Sequence, residues 1–287
     1  MGSILKALTM AAGLDSGAVT RKTTFNDPGC KTLDKKTFCN FDKKSYGTKV
    51  PMQLVLSKSL NTGAAFVVEK MGNSQFRDYM FSYGLASTTG VDLPNEGKSL
   101  VSNLSVPRDL EYAQASFGQG VAFTPIQMVR ALSVLANGGY LITPHLVKKI
   151  DYELGITKDV TPPKGKQVFK AGTTEEISRM LTEVVDTALR DGKVRLDKYS
   201  VAAKTGTAQI ANPAGGGYFA DHYLHSFFGY FPSYDAKFLV FLYTFHPLGV
   251  QYASETLTDS FINLTKFLIN YYNIPPDREM PPRATLD

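Results

Sequence analysis

The stretch that most constrains the fold is an apolar lead-in followed by a short polar motif, residues 201–209, Val-Ala-Ala-Lys-Thr-Gly-Thr-Ala-Gln. The lead-in favours a β-strand, and side chains on a strand alternate between the two faces of a sheet. Thr205 and Thr207 are therefore predicted to lie on one face. Lys204 and Gly206 are predicted on the other, where the glycine allows another segment to approach closely. Two hydroxyls beside an ammonium group suit a ligand that carries a carboxylate, although Lys-Thr-Gly is too short to define a site by itself.

Composition places the chain among ordinary globular proteins. It has 287 residues, of which 43% are hydrophobic, and a mean hydropathy of −0.12, values that exclude both a disordered chain and a membrane bundle. The longest apolar runs, such as Phe238 to Tyr243, are too short to span a membrane. The net charge of +5 is modest, and the lysines fall in predicted hairpins and loops. They do not form a basic face interleaved with aromatic residues, so no nucleic-acid partner is expected.

Two cysteines, Cys30 and Cys39, flank a short segment whose composition is typical of a turn. The four histidines are scattered along the chain, whereas a structural zinc site usually needs four ligands close together. A metal site is therefore not expected. A disulfide across a hairpin and two free thiols remain open alternatives.

The chain begins with a predicted amphipathic helix from Ser3 to Leu14. Lys6 follows Ser3 by three residues, and side chains at this spacing share a helix face, so the hydroxyl and the amine can meet. A desolvated lysine in that place can act as a base towards a serine nucleophile. For an isolated Ser-x-x-Lys, the favoured alternative is a serine N-cap followed by a solvated lysine.

Ser59 and Asn61 are predicted to lie at a junction between two helices, two residues apart. Capping is the alternative interpretation, since both residue types favour helix N-termini. The predicted helices cover Pro51 to Leu60, Ala64 to Met71, Ser74 to Tyr83, Arg108 to Ser116, Pro125 to Ala136, Thr173 to Leu189 and Leu257 to Tyr272. The predicted strands lie between Thr23 and Tyr46, between Tyr140 and Lys170, and at Tyr199–Lys204, His225–Phe231 and Lys237–Phe245. With no internal repeat and no clear linker, we predict one α/β (α+β) unit with a second, mostly helical lobe.

Three short motifs follow one another in a fixed order: Ser3-Ile4-Leu5-Lys6, Ser59-Leu60-Asn61 and Lys204-Thr205-Gly206. This order resembles the penicillin-recognising serine acyl enzymes. Further blocks, at 115–120, 124–127 and 227–232, are similar to those of the class B penicillin-binding proteins, the D,D-transpeptidases of cell elongation and division. The resemblance covers essentially the whole chain.

The fold that this resemblance implies is β-lactamase/transpeptidase-like, an antiparallel sheet flanked by helices plus a mostly helical lobe. Residues 1–274 would form the transpeptidase domain. Residues 275–287 would form a Pro-rich tail, which we expect to be disordered.

The resemblance also implies a catalytic role for five residues. Ser3 attacks the carbonyl of the penultimate D-Ala of a peptidoglycan stem peptide and becomes acylated. Lys6, held neutral by burial and by a neighbouring cation, takes the serine proton. Ser59 relays a proton towards the leaving D-Ala nitrogen, and Asn61 hydrogen-bonds the substrate amide. Lys204 keeps the electric field positive around the two serines.

Substrate binding is implied for the third motif. Thr205 and Thr207 hold the terminal carboxylate, or the matching carboxylate of a β-lactam, and Gly206 belongs to the same substrate-binding strand. The backbone N–H groups of Ser3 and Thr207 form an oxyanion hole. The amine of a second stem peptide then resolves the acyl-enzyme and forms the cross-link. The resemblance implies no metal and no organic cofactor.

The chain departs from the family pattern at three places. Ala7 stands where proline is usual, and Ala203 stands where glycine is common. Family members carry a membrane anchor, a non-catalytic domain and the first strands of the sheet before Ser-x-x-Lys, whereas two residues precede Ser3 here. We therefore expect the first N-terminal strands to be lacking, the strand Lys237–Phe245 to have an exposed edge, and Ser3 to lie in a fraying terminus.

Other functions remain as alternatives. A D,D-carboxypeptidase or a β-lactamase shares the three motifs but transfers the acyl group to water. A β-lactam sensor would stay acylated, and an inactive scaffold of the division machinery would not be acylated at all. The expected partners are stem peptides, β-lactams and other cell-wall synthesis proteins, with a membrane involved only through the missing anchor. The expected location is the extracytoplasmic cell envelope.

Overall fold

The computed structural model describes residues 1–279, so residues 280–287 of the predicted tail lie outside the described residues. The helices are α1 (Leu5–Asp15), α2 (Met52–Ser57), α3 (Asn61–Met71), α4 (Asn73–Ser82), α5 (Asp109–Ser116), α6 (Pro125–Ser133), α7 (Ala171–Glu183), α8 (Ala253–Thr256) and α9 (Thr258–Tyr271). The strands are β1 (Thr24–Asp27), β2 (Cys30–Leu33), β3 (Lys36–Cys39), β4 (Gly47–Pro51), β5 (Tyr140–Leu141), β6 (Lys149–Asp151), β7 (Thr157–Asp159), β8 (Lys166–Gln167), β9 (Ala202–Ala211), β10 (Tyr218–Phe231) and β11 (Phe238–Phe245). No helix within residues 1–279 is long and apolar enough to cross a bilayer.

The main sheet has three antiparallel strands in the order β11-β10-β9. Its central strand carries the apolar run 227–231, which is buried throughout because helices cover both faces. On one face Phe227 stacks on Phe261 of α9, with ring centroids 4.4 Å apart. On the other, the hydroxyl of Tyr230 hydrogen-bonds that of Ser178 in α7, at 2.8 Å. The antiparallel sheet flanked by helices is the arrangement that the sequence predicted.

Helix α1 lies in the centre of the helical lobe. Its residues from Leu5 to Gly13 are all buried, Lys6 included, and α3, α5 and α7 pack around it. The prediction of an amphipathic helix is therefore wrong in this respect. A helix enclosed on all sides is expected to be apolar all round, so the burial of Lys6 needs a special explanation.

The strand β11 forms one edge of the sheet. It pairs with β10 on one side, and no strand among residues 1–279 pairs with its other side. Two of its aromatic side chains, Tyr243 and Phe245, are exposed. The expected open edge beside this strand is therefore present in the described part of the chain.

Several element boundaries differ from the prediction. Strand β9 begins at Ala202 and continues to Ala211, beyond the predicted end at Lys204. Helix α3 begins at Asn61 instead of Ala64, because the next backbone N–H, that of Thr62, is capped by a side chain from a distant segment. The region from 140 to 170 contains four short strands in two pairs.

The beginning of the predicted tail is bound to the body of the protein. Asp277 accepts hydrogen bonds from the backbone and the hydroxyl of Ser200. Arg278 forms a salt bridge with Asp186, at 2.9 Å. The predicted disorder from Pro275 onwards is therefore wrong for Asp277 and Arg278, because hydrogen bonds and an ion pair hold them.

Candidate active site

A cleft of about 710 Å³ runs between β9 and the helical lobe. Of the predicted site residues, five line its walls: Ser3, Ser59, Asn61, Thr205 and Thr207. Lys6 and Lys204 lie just beneath these walls and are almost completely buried. The three sequence motifs therefore meet in one place, although up to 145 residues separate the groups that touch.

The first motif forms one end of the cleft. A tight helical turn over Gly2–Ile4 leads into α1 and places Ser3 one turn before Lys6. The Nζ atom of Lys6 lies 2.9 Å from the Oγ of Ser3. It also lies within hydrogen-bond distance of the Ser59 carbonyl oxygen (2.5 Å) and the Ser59 Oγ (3.1 Å). The predicted contact between the hydroxyl and the amine is present.

Burial lowers the pKa of Lys6 well below its usual range, and the nearby charge of Lys204 lowers it further. Both causes disfavour the ammonium form, because it is desolvated and faces a like charge. A neutral amine has a lone pair. At 2.9 Å from Ser3 Oγ, that lone pair can accept the hydroxyl proton, which is the requirement for a general base.

The start of the chain is held in place. The hydroxyl of Ser226 in β10 donates to the carbonyl oxygen of Met1 at 2.8 Å, and Ile4 and Leu5 are fully buried. A side chain at Gly118 would come within 2.7 Å of the Gly2 nitrogen, so the loop after α5 packs directly on the backbone before Ser3. The expected fraying of Ser3 is therefore wrong, because the sheet and this loop clamp the turn from two sides.

Ser59 occupies the turn between α2 and α3 with a left-handed backbone conformation, φ +56°. Its hydroxyl accepts hydrogen bonds from both lysines, from Lys6 at 3.1 Å and from Lys204 at 3.0 Å. Left-handed backbone is unfavourable for residues other than glycine and persists where the surroundings enforce it. The turn thus places a hydroxyl between two amines.

Lys204 also donates to the backbone oxygen of Thr205, at 3.1 Å. Burial lowers its pKa to about 8. The two buried lysines therefore differ. Near neutral pH Lys204 keeps its proton, while Lys6 is the one whose pKa is pushed furthest by burial and by its neighbour's charge.

The alternation predicted for β9 is present. Thr205 and Thr207 line the cleft, whereas Lys204 and Gly206 are buried on the opposite face. The backbone N–H of Ala253 donates to Thr207 Oγ1 at 3.1 Å. The Thr207 hydroxyl proton therefore remains able to donate into the cleft.

Gly206 is buried on the face of β9 opposite the cleft, and its place in the substrate-binding strand stays a prediction. A Cβ atom there would lie 2.8 Å from the Met1 carbonyl oxygen and 3.0 Å from the Ile4 side chain. The absence of a side chain lets the first turn approach β9. This close approach was predicted, and its effect is to support Ser3 from behind.

Asn61 is tied to the hairpin formed by β2 and β3. Its side-chain Nδ2 donates to the carbonyl oxygen of Cys39 at 2.7 Å. Cys39 lies directly opposite Cys30 in this hairpin, and the two form a disulfide. Of the two open alternatives, the structure has the disulfide, and Cys39 lines the cleft together with Asn61.

Two aromatic residues at the cleft were not found from the sequence. Phe41 follows β3 and Tyr252 precedes α8, and their ring centroids lie 5.0 Å apart. Both line the cleft. Nothing local in the sequence signals this contact, since 211 residues separate the two positions and each is an exposed aromatic residue in a loop.

The arrangement comprises a serine beside a desolvated amine, a second hydroxyl between two lysines, and threonine hydroxyls on an adjacent strand. Within residues 1–279, no group of three or more His, Cys, Asp or Glu side chains could hold a metal ion. This arrangement has the groups that a serine acyl-transfer site of the Ser-x-x-Lys type requires. The sequence model described as the penicillin binding protein transpeptidase domain matches residues 1–263. The chain belongs to this family.

Several curated proteins are similar to the chain. Stage V sporulation protein D of Bacillus subtilis is 30% identical over 253 residues, covering 86% of this chain and 38% of its own length. PbpB of Mycolicibacterium smegmatis is 26% identical over 296 residues, covering 99% and 45%. A probable peptidoglycan D,D-transpeptidase FtsI of Caulobacter vibrioides is 29% identical over 240 residues, covering 81% and 38%. The chain thus spans less than half the length of these relatives.

Solved structures have the same fold. Penicillin binding protein 3 of Mycobacterium tuberculosis in its apo form superposes with a TM-score of 0.88 at 25% identity, covering 96% of this chain and 64% of its own. The complex of that protein with aztreonam gives a TM-score of 0.86 at 25% identity, over 96% and 63%. The predicted β-lactamase/transpeptidase-like fold is confirmed.

Proposed function

We propose that the chain carries the D,D-transpeptidase activity of peptidoglycan cross-linking, with Ser3 as the acylated nucleophile, and that β-lactams inhibit it covalently. One observation carries the proposal: Ser3 Oγ lies 2.9 Å from the amine of a buried lysine whose pKa is lowered well below its usual range. The names of relatives support the substrate, since one is a probable peptidoglycan D,D-transpeptidase.

In the acylation step, the Oγ atom of Ser3 attacks the carbonyl carbon of the penultimate D-Ala, and its proton passes to the neutral amine of Lys6. The bond between that carbonyl carbon and the terminal D-Ala nitrogen then breaks. The leaving nitrogen receives a proton through the hydroxyl of Ser59, which lies between Lys6 and Lys204. D-Ala departs as the amine, and the donor peptide remains as an ester on Ser3.

The substrate is oriented by the cleft walls. The Thr205 and Thr207 hydroxyls bind its terminal carboxylate, and the backbone N–H groups of Ser3 and Thr207 stabilise the oxyanion that develops on the attacked carbonyl. Asn61 bonds the substrate amide. Lys204, with a pKa of about 8, supplies positive charge under this strand near neutral pH.

In the second step, the amine of another stem peptide attacks the ester carbonyl of the acyl-enzyme. Lys6 now accepts the proton of that amine. It then returns a proton to the Ser3 Oγ atom, which leaves as a hydroxyl when the ester bond breaks. The products are the cross-link and the regenerated serine. The other partners of the site would be cell-wall synthesis proteins.

We also propose an extracytoplasmic location in the cell envelope, with residues 1–274 as the transpeptidase domain. The Cys30–Cys39 disulfide supports this location, because disulfides persist mainly in oxidising compartments. The proposed substrate lies in the same compartment.

Intact-mass spectrometry after incubation with benzylpenicillin tests the proposal. The chain is expected to gain one stable adduct, which disappears in Ser3→Ala and persists in the control Ser82→Ala at the C-terminal end of α4, outside the cleft. Folded protein without an adduct would contradict the proposal. A thioester donor supplied with an amine acceptor then separates the activities, since amide product indicates transpeptidation and free acid indicates a hydrolase.

A further inference from the structure

A second buried polar cluster lies close to the active site, around the carboxylate of Asp27 at the end of β1. Asp27 is fully buried. Four residues donate hydrogen bonds to its two oxygens, at 2.6–3.0 Å: Gly29, Asn40, Tyr46 and Thr62. No lysine or arginine within the described residues forms a salt bridge with it.

The donors explain how a carboxylate is tolerated without a cation. Hydrogen bonds to an ionised acceptor are stronger than neutral ones, and a carboxylate near the start of a helix is stabilised by the unpaired N–H groups there. Thr62 belongs to the first turn of α3 and donates from its hydroxyl at 2.6 Å. Asn40 accepts the Thr62 backbone N–H at 3.2 Å, satisfying a group that the helix itself leaves unpaired.

This cluster clamps the segment that follows the strained turn of Ser59. The last residue of β3 and the residue that follows it bind the first two residues of α3. The Cys39 carbonyl accepts from the Asn61 side chain, and the Asn40 side chain binds Thr62. Asp27 holds both Asn40 and Thr62. The exit from the turn is therefore fixed by contacts between the hairpin and α3. Cys39, Asn40 and Asn61 line the cleft, whereas Asp27 and Thr62 are buried behind its wall.

We propose that Asp27 is a positioning residue for the turn from Ser59 to Asn61, acting through Asn40 and Thr62. Its carboxylate keeps the first turn of α3 against the hairpin and thereby keeps Ser59 Oγ between Lys6 and Lys204. The inference rests on the proposed function for its kinetic consequence. Its structural content concerns the turn alone.

The test uses Thr62→Val, which removes one donor to Asp27 while keeping the shape of the side chain. Thr62→Ser keeps the hydroxyl and serves as the rescue variant. Tyr230→Phe removes a buried hydrogen bond of similar length outside the Asp27 cluster, to Ser178 of α7, and controls for general destabilisation. Asp27→Asn is not the primary variant, because one oxygen would become an NH2 group facing the two or three donors that now bond that oxygen, which endangers folding.

The first measurement is the acylation rate at saturating benzylpenicillin, together with the apparent dissociation constant of the non-covalent complex. Thr62→Val is expected to lower the saturating rate roughly 10-fold, because small misplacements of reacting groups have large effects, while the dissociation constant changes less than about twofold. Thr62→Ser and Tyr230→Phe should stay within about twofold of the parent rate. Equal rates for Thr62→Val and parent, or equal losses in Thr62→Val and Tyr230→Phe, would overturn the proposal.

Hydrogen exchange followed by mass spectrometry gives a second readout that does not depend on activity. Thr62→Val should exchange faster in the peptide that spans 57–64, with unchanged exchange in α7. If the parent is not acylated but this local loosening occurs, the proposed function fails and the positioning role stands. Unchanged exchange in 57–64 would overturn the positioning role whatever the parent's activity.

Discussion

The Ser59 turn separates two buried polar clusters of opposite charge. On one side lie Lys6 and Lys204, two amines whose contacts are hydroxyls and backbone oxygens, with no carboxylate beside them among residues 1–279. On the other side lies Asp27, a carboxylate surrounded by four donor residues and no cation. Neither cluster contains a salt bridge.

The difference lies in how each charge is solvated. Burial lowers the pKa values of both lysines, because their charged forms are poorly compensated. Each amine therefore gives up its proton more easily than an exposed lysine does. The Asp27 carboxylate receives donors on both oxygens, so its neighbours are held firmly. The lysine cluster has the poorly compensated amines that proton transfer needs, whereas the Asp27 cluster has the hydrogen bonds that make a segment rigid. The predictions below follow from this contrast.

The largest expected effect comes from Lys6→Met. Loss of the base should lower the acylation rate by about 10²–10⁴-fold. The free energy of unfolding should not fall, because a buried amine that is poorly solvated is replaced by an apolar side chain of similar length. Chemical denaturation and penicillin acylation measure the two quantities. A marked loss of stability would show that Lys6 stabilises the fold, as Asp27 is expected to do, and would remove the contrast between the two clusters.

The next effect concerns the support of Ser3. Gly118 has φ +84°, and a Cβ there would meet the Gly2 backbone, so Gly118→Ala should displace the first turn and slow acylation by roughly 10- to 100-fold. Gly172→Ala is the matched control, since a Cβ at that position has nothing within 4 Å. We expect the control to keep the parent rate and to be slightly more stable, because alanine favours a helix over glycine. Equal rates in both variants would contradict the clamp on Ser3.

Removal of the disulfide tests how far the β2–β3 hairpin, and not the Asp27 cluster, holds the Ser59 turn. The double variant Cys30→Ser and Cys39→Ser opens a short loop, with a sequence separation of nine residues, and should lower the free energy of unfolding by about 2–3 kcal/mol. Acylation should slow by only a few fold, since the Asp27 cluster still holds Thr62. Denaturant titration gives the stability. An acylation loss as large as that of Lys6→Met would show that the hairpin, and not Asp27, fixes the turn.

Stability should depend on pH through Lys204. Its pKa is about 8 in the folded protein against 10.5 for an unperturbed lysine. Between pH 8 and 10 the unfolded chain therefore binds more protons, and the free energy of unfolding should rise with pH by up to about 1.4 kcal/mol per unit. Above pH 10 the buried tyrosines Tyr83 and Tyr230 reverse the trend, since burial raises their pKa values. In Lys204→Met the rise between pH 8 and 10 should be smaller but still present, because Lys6, whose pKa is also lowered by burial, contributes to it. A rise as steep as that of the parent would count against the assignment to Lys204.

The smallest effect is expected at the exposed ion pair between Lys31 and Glu69, 2.5 Å apart. It joins the same hairpin to the same helix as the Asp27 cluster, but both side chains contact water. Lys31→Ala should change the free energy of unfolding by less than about 1 kcal/mol and leave acylation unchanged. A larger change would mean that the exposed pair stabilises the contact between hairpin and helix as much as the buried Asp27 cluster does.

Local patterns were sufficient to predict part of the site. The spacing of Ser3 and Lys6 on a helix predicted their contact, and strand alternation predicted that Thr205 and Thr207 share a face. The order of the three motifs then led to the fold. Each of these inferences depends on residues within one turn or one strand, where backbone geometry alone fixes which side chains are neighbours.

The remaining features depend on contacts between distant segments. Asp27, Asn40 and Thr62 are ordinary turn and cap residues in the sequence, and only the fold brings them together across separations of 13 to 35 residues. The early start of α3 has the same cause, because its cap comes from Asn40. Strand alternation predicted that another segment approaches Gly206, but not that this segment is the first turn of the chain, because the contact joins distant parts of the sequence.

The left-handed backbone of Ser59 determines which assays can detect a local loss of structure in this protein. Such a conformation lies roughly 1–3 kcal/mol above an ordinary one for a serine, so the turn will relax first when its supports weaken. Relaxation there moves one hydroxyl away from two amines and leaves the sheet and the helical lobe intact. A population of molecules can therefore melt normally, resist proteases and be produced in full yield while the active fraction is small. For this chain, an active-site titration and a measurement of folding are separate assays, and neither can replace the other.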